Sequence, residues 1–204
     1  MSDFWVFGYG SLMWRPDFPY LDAVPAKLDG AHRALCVYSV VHRGSRIRPG
    51  LTMGLDIGGS CRGVAFRIAP EHAGAIRYQL KKREQVTLDY REAMRWVKLA
   101  NGGSEVHALC FVIDRGHPQY AGDIPLDRQA WMVRRAIGVS GRNVDYVMNT
   151  FRHLEEMGIA EPRIERLVNI LDPLRDTVER VAPIGFRRHA RKIGTLIPVP
   201  RPKR

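Results

Sequence analysis

The chain has 204 residues, 45% apolar and 26% charged, the balance of a soluble globular protein with length for one domain and a sizeable core. No apolar run approaches the length that spans a bilayer, and Asp3 stands where a secretory leader carries Lys or Arg, so the expected location is cytoplasmic. The net charge is +11, but eight Lys and Arg residues lie in residues 180–204 with no acid among them. They leave +3 on the remainder, so most of the basic character belongs to the tail and not to the domain.

In chain order, residues 4–8 read as a buried strand that ends in Gly8-Tyr9-Gly10. A Pro-rich loop with Pro16, Pro19 and Pro25 follows, then a strand over 34–41 and a polar loop over 42–50. Residues 51–57 and 62–68 are strand-like, and Gly58-Gly59-Ser60 between them suggests a hairpin. A helix is expected over 71–84 after Pro70. Two strands, 92–99 and 105–113, flank the turn Asn101-Gly102-Gly103. The last third is helical: 126–137, then 144–157 with the stripe Val144, Val147, Met148, Phe151 and Leu154, capped by Gly158, then 163–171. Strands first and helices later imply an α+β domain over 1–172. Residues 173–204 form a basic, Pro-containing extension, either solvated or in contact with nucleic acid or an acidic membrane surface.

Two features carry chemistry. The first is the turn of Gly8, Tyr9, Gly10, Ser11, Leu12 and Met13. Its two glycines let successive backbone N–H groups converge on one point, a concavity suited to a carboxylate or phosphate. The spacing is neither the dinucleotide fingerprint nor the P-loop. Tyr9 and Ser11 add hydroxyls, although a tyrosine there also suits the core.

The second feature is Glu84. It follows Leu80 by four residues on the stripe Ala73, Ile76, Leu80, so it is expected to point inward. A partly buried carboxylate near a helix C-terminus has a raised pKa, as a general acid–base group needs. A frayed helix end with Glu84 paired to Arg83 or Arg91 is the alternative. Cys36, Cys61 and Cys110 lie far apart in apolar contexts and read as buried free thiols. The seven histidines show no metal-ligand spacing, so neither metal nor cofactor is expected.

Phe7-Gly8-Tyr9-Gly10-Ser11-Leu12, followed by Trp14, Pro16, Asp17, Phe18, Pro19 and Tyr20, resembles the N-terminal signature of the ChaC-like γ-glutamylcyclotransferases. Further blocks agree in order: His42-Arg43-Gly44 with Pro49-Gly50-Leu51, Gly58 to Ala65, Arg83-Glu84-Gln85, and Ala136 to Asn143. The resemblance covers about residues 4–171. It implies a partly closed mixed β-barrel with helices packed around it.

It also implies cyclisation of a γ-glutamyl group to 5-oxoproline, with Glu84 as the proton carrier and the 8–13 turn holding the substrate's anionic groups or the developing oxyanion. No enzyme nucleophile, metal or nucleotide is required. Arg43, beside His42 and Arg46, is a candidate partner for the substrate carboxylate, since Arg pairs carboxylates bidentately. Tyr120, after His117-Pro118, resembles a loop tyrosine of the family and is a candidate substrate contact. The expected substrate is glutathione, releasing Cys-Gly; the alternatives are other γ-glutamyl amines or peptides, or a non-catalytic binding protein. Ser45-Arg46-Ile47-Arg48 stands where Thr-Pro-Glu is usual, a departure that bears on leaving-group selectivity more than on the cyclisation.

Overall fold

Val6 and Phe7 sit side by side in strand β1 (Phe4–Gly8), where neighbouring side chains must face opposite ways, and both are fully buried. β1 is therefore sandwiched between two apolar layers. A computed structural model, which describes residues 3–84 and 90–173, shows what those layers are. β1 pairs antiparallel with β3 (Gly50–Ile68) and parallel with β5 (Glu105–Ile113). β2 (Asp22–Ser39) and β4 (Tyr90–Leu99) complete the order β1-β3-β2-β4-β5, a closed mixed barrel. One layer is the barrel interior, filled by Phe7, Leu28, Leu55, Ala65, Val97 and Cys110, with every strand contributing. The other lies between the outer sheet face and the helices, where Val6, Phe66 and Leu109 meet Ile76, Val133, Val147, Leu154 and Leu167. Each such buried side chain contributes about 1.5–3 kcal/mol by leaving water.

The helices are α1 (Ala73–Glu84), α2 (Leu126–Arg135), α3 (Asn143–Glu156) and α4 (Pro162–Leu171). A two-stranded ribbon, β6 (Ile137–Gly138) and β7 (Gly141–Arg142), links α2 to α3. The α+β architecture and its barrel agree with expectation. The expected stripe on α1 buries Ile76 and Leu80, and that on α3 buries Val147, Phe151 and Leu154. No helix among the described residues is long and apolar enough to cross a membrane. The basic extension falls outside the described residues from 174 onward.

Three expectations are corrected. Gly58-Gly59-Ser60 is not a hairpin, because β3 runs straight through it. Gly58 and Gly59 have φ of 96° and 67°, and opposite them β2 breaks register at Gly30, with φ of 85°. Two paired strands bend together at these bulges, where left-handed backbone favours glycine. The true reversal is the 40–49 loop, flanked by Ser39 paired with Gly50. Second, Pro25 lies inside β2, not in a loop. β4 pairs with β2 only over Ala26, Lys27 and Leu28, so a residue without an N–H interrupts no ladder there. Third, α2 stops at Arg135, and Ile137 and Gly138 are extended instead.

The three cysteines are free and buried, as expected. Burial pushes the Cys36 and Cys110 thiols up to about 12 and the Cys61 thiol up to about 11. The reactive species is the thiolate, so the native protein at pH 8 is expected to resist a chromogenic disulfide reagent, with three thiols titrating once guanidinium is added. Fast labelling of the native form would contradict this. An unfolded chain ionises these thiols near pH ~8.5, so their contribution to stability is intact below that value and declines as pH rises toward the folded values.

Candidate active site

β1 delivers the chain into its glycine turn at the mouth of the barrel. Gly10 has φ of −128° and ψ of −135°, and Ser11–Met13 form one 3-10 turn. The Met13 N–H donates to the Gly10 carbonyl at 2.9 Å and the Arg15 N–H to the Ser11 carbonyl at 2.8 Å. Met13's amide is thus used inside the turn. The first amides of a helical turn have no intrahelical acceptor, which leaves those of Ser11 and Leu12 for an anion. Gly10, Ser11 and Leu12 line a cleft of about 660 Å3. Gly8, Tyr9 and Met13 are buried behind it and do not line it. Tyr9 packs into the barrel interior. Its carbonyl accepts from Arg33 Nε, and Arg33, itself buried, also donates to the Arg62 carbonyl at 2.6 Å and pairs with Glu161.

The opposite wall is α3. Asn143, at its start, is fully buried, and its side chain both accepts from the Leu51 N–H and donates to the Leu51 carbonyl, each at 2.7 Å. This amide pair fixes α3 against β3 as another strand would. One turn on, the Tyr146 hydroxyl accepts from the Met53 N–H at 3.1 Å. Tyr146, Asn149, Thr150 and His153 then line the cleft at i, i+3, i+4 and i+7. The His153 ring stacks on Trp14 with centroids 4.6 Å apart, which ties the end of α3 to the segment after the turn. Thr150 Oγ1 is buried without a hydrogen-bond partner among the described residues.

The 40–43 segment closes the third side. Gly138 touches it so tightly that a Cβ there would meet the His42 carbonyl oxygen at 2.4 Å. That contact explains why α2 cannot continue: backbone must lie against backbone. The Val139 and Ser140 N–H groups donate to the Val41 and His42 carbonyls, each at 3.0 Å. The Arg43 guanidinium donates to the Ser140 carbonyl and lies 5.2 Å from the Tyr146 ring centroid. Arg43 therefore lines the cleft, whereas Arg46 is exposed outside it. Among the described lining residues the fully charged ones are Arg15, Arg43, Arg83, Arg152 and the single acid Asp17, a field that favours an anionic guest.

Glu84 closes α1, but its side chain, and with it the expected inward direction and raised pKa, lies outside the described residues. Its neighbour Arg83 reaches the cleft. Tyr120 is not brought there. Its hydroxyl donates to Asp56 Oδ2 at 2.8 Å, and Arg115 donates to Asp56 Oδ1 at 2.7 Å. Burial alone would raise the Asp56 carboxyl; bonds from Arg115, Tyr120 and the Ile57 amide outweigh it and hold that carboxyl below the usual range. Tyr120's neighbour Gln119 lines the cleft instead. Sequence reasoning overlooks Tyr146, Asn149, Thr150 and His153, although their helical period beside the apolar stripe is a readable signal. It has no local signal for the pairing of Arg33 with Glu161.

The ChaC-like protein family matches residues 4–177. The glutathione-specific γ-glutamylcyclotransferase of Escherichia coli K12 is 33% identical over 165 residues, covering 80% of this chain and 71% of that one. The human glutathione-specific γ-glutamylcyclotransferase 1 is 31% identical over 172 residues, covering 82% of this chain and 77% of that one. Among solved structures, a yeast γ-glutamyl cyclotransferase specific to glutathione superposes with a TM-score of 0.75 at 22% identity, covering 87% of this chain and 99% of that one.

Proposed function

The chain belongs to the ChaC-like family and is a γ-glutamylcyclotransferase; from that premise we propose that it degrades glutathione, with Glu84 moving the protons and the 10–12 turn holding the substrate's negative charge. The observation that carries this reading is a single cleft that joins the free amides of the turn, Arg83 at the end of α1, and the cation-bearing walls of the 40–43 segment and α3.

The reaction is intramolecular. The α-ammonium of the γ-glutamyl group loses a proton to the Glu84 carboxylate. The freed amine attacks its own γ-carbonyl carbon, and the carbonyl oxygen becomes an oxyanion. The carbon–nitrogen bond to cysteine breaks as Glu84 returns the proton to the departing nitrogen, and the ring nitrogen then gives up its second proton, through the freed Glu84 carboxylate, to the released Cys-Gly amine or solvent. One amide bond forms and one breaks, giving 5-oxoproline and Cys-Gly without water. The protein's main task is to fold a flexible substrate into a near-attack shape, and that positioning accounts for much of the rate. The Ser11 and Leu12 amides bear on the charged oxygens. Arg43 supports a second anionic contact, one that a leaving group ending in a carboxylate offers and a simple amine does not. The three protonated, buried thiols suit the reducing cytoplasm in which glutathione is abundant.

Purified protein is expected to convert reduced glutathione into equimolar 5-oxoproline and Cys-Gly, with no free glutamate. Glutathione acylated on its α-amine is expected to be inert, because the nucleophile is then blocked. Release of glutamate, or turnover of the acylated substrate, would mean that water attacks and would overturn the cyclisation mechanism. Absence of product from glutathione alongside turnover of another γ-glutamyl peptide would move the assignment to that substrate.

A further inference from the structure

Asp17 is the one non-glycine residue with positive φ among the described residues, at 57°. The left-handed region is uncommon outside glycine, although Asp tolerates it better than most, and such residues persist where surrounding contacts over-determine them. Asp17 is held in this way. Gln79 Nε2 donates to its carbonyl at 2.8 Å, Arg83 Nη1 to its carboxylate at 3.0 Å, and Arg15 Nε pairs with the same carboxylate oxygen at 3.3 Å. Gln79 and Arg83 are four residues apart, so one face of α1 grips this residue from two successive turns.

Arg83 spreads further. Nη1 also meets the Arg15 and Pro16 carbonyls at 3.0 and 3.3 Å, and Nη2 donates to Ser11 Oγ at 3.1 Å. All of these acceptors lie between Ser11, the first residue of the anion-holding turn, and Asp17. We propose that Arg83 and Asp17 form a positioning clamp that sets the C-terminal end of α1 at a fixed distance from the Ser11–Met13 turn. Neither residue is a proton carrier; both act by registering Glu84 against the substrate held at that turn. This rests on the reading of Glu84 as the catalytic base.

Exposure decides between a role in stability and a role in rate. The Arg83 and Asp17 side chains are 26% and 49% exposed, and ion pairs at that exposure contribute little to folding. Rate is far more sensitive, since a 1 Å misplacement of a reacting group costs about a hundredfold. Lysine cannot replace the fork, because a single ammonium does not reach Ser11 Oγ and the 15–17 carbonyls at once.

The test is steady-state turnover of glutathione by Arg83→Lys and Asp17→Asn. Arg83→Lys is expected to lower kcat about 10- to 100-fold, with KM within about threefold and the melting temperature nearly unchanged. Asp17→Asn, which keeps a left-handed-tolerant backbone and an acceptor, is expected to lose less. Guanidinium ion is expected to restore part of the kcat of Arg83→Ala and none of Glu84→Gln. In the Glu84→Gln background, Arg83→Lys is expected to cost nothing further. A raised KM at unchanged kcat would make Arg83 a direct substrate ligand and overturn the clamp, as would losses that multiply with those of Glu84→Gln. A fully active Glu84→Gln protein would overturn the Glu84 assignment instead, and the clamp's action through it; the single variant reports that separately.

Discussion

Glu84→Gln is expected to lower kcat for glutathione by about 10²- to 10⁴-fold, the range that positioned proton transfer contributes. The cyclisation cannot start from the ammonium, because that nitrogen has no lone pair, and it cannot finish without a proton on the leaving nitrogen. In the proposed mechanism one carboxylate serves both steps; glutamine has nearly the same shape and serves neither. Of the residues near the cleft, Asp17 is the one described acid in its lining, and it is already engaged by Arg83 and Arg15. KM is expected to stay within a few-fold, since in the proposed reading charge recognition falls to the turn and to Arg43. The check is a pair of measurements: circular dichroism to show an unchanged fold, and simultaneous quantification of 5-oxoproline and Cys-Gly. Turnover within threefold of the unsubstituted protein would remove Glu84 from the mechanism and leave the proton carrier to be sought elsewhere.

What was legible in the sequence depends on how local the cause is. β1, α3 and α4 follow from short-range apolar period, and each lies within a residue or two of its expected place. The 58–60 segment reads as a reversal because a glycine pair has the same local appearance in a turn and in a bulge; only the facing bulge at Gly30 decides, and its strand lies some thirty residues away. The glycine turn was legible as a break after β1, but not which of its amides stay outside the turn's own hydrogen bonds, since that depends on the Met13 N–H folding back to Gly10. The wall formed by Tyr146, Asn149, Thr150 and His153 has a readable helical spacing. Its meaning comes from the Asn143 amide gripping Leu51, 92 residues distant, which turns that face toward the barrel mouth. Tyr120 illustrates the converse, a residue carried over by resemblance whose hydroxyl is engaged by Asp56 away from the cleft.

Glu161→Ala is expected to destabilise the fold by about 3 kcal/mol, because it strands a buried cation. The Arg33 side chain is fully buried and that of Glu161 only 20% exposed, so neither water nor salt takes over the lost partner. For a domain of this size the melting temperature falls on the order of 10 °C. Stability and function separate in the double variant Arg33→Met with Glu161→Leu. Replacing a buried ion pair by apolar groups of similar volume is often neutral or better for stability, so much of the lost melting temperature is expected to return. Turnover is not expected to return with it. Arg33 Nε donates to the Tyr9 carbonyl, one residue before Gly10, and Nη2 to the Arg62 carbonyl on β3. Methionine can pack there but cannot hold either oxygen, and the turn that presents the Ser11 and Leu12 amides loses its anchor beneath. Thermal denaturation and glutathione turnover on the same three proteins test both halves. An unchanged melting temperature in Glu161→Ala would mean that the pair is effectively solvated, and full kcat in the stable double variant would reduce Arg33 to a packing residue with no hold on the turn.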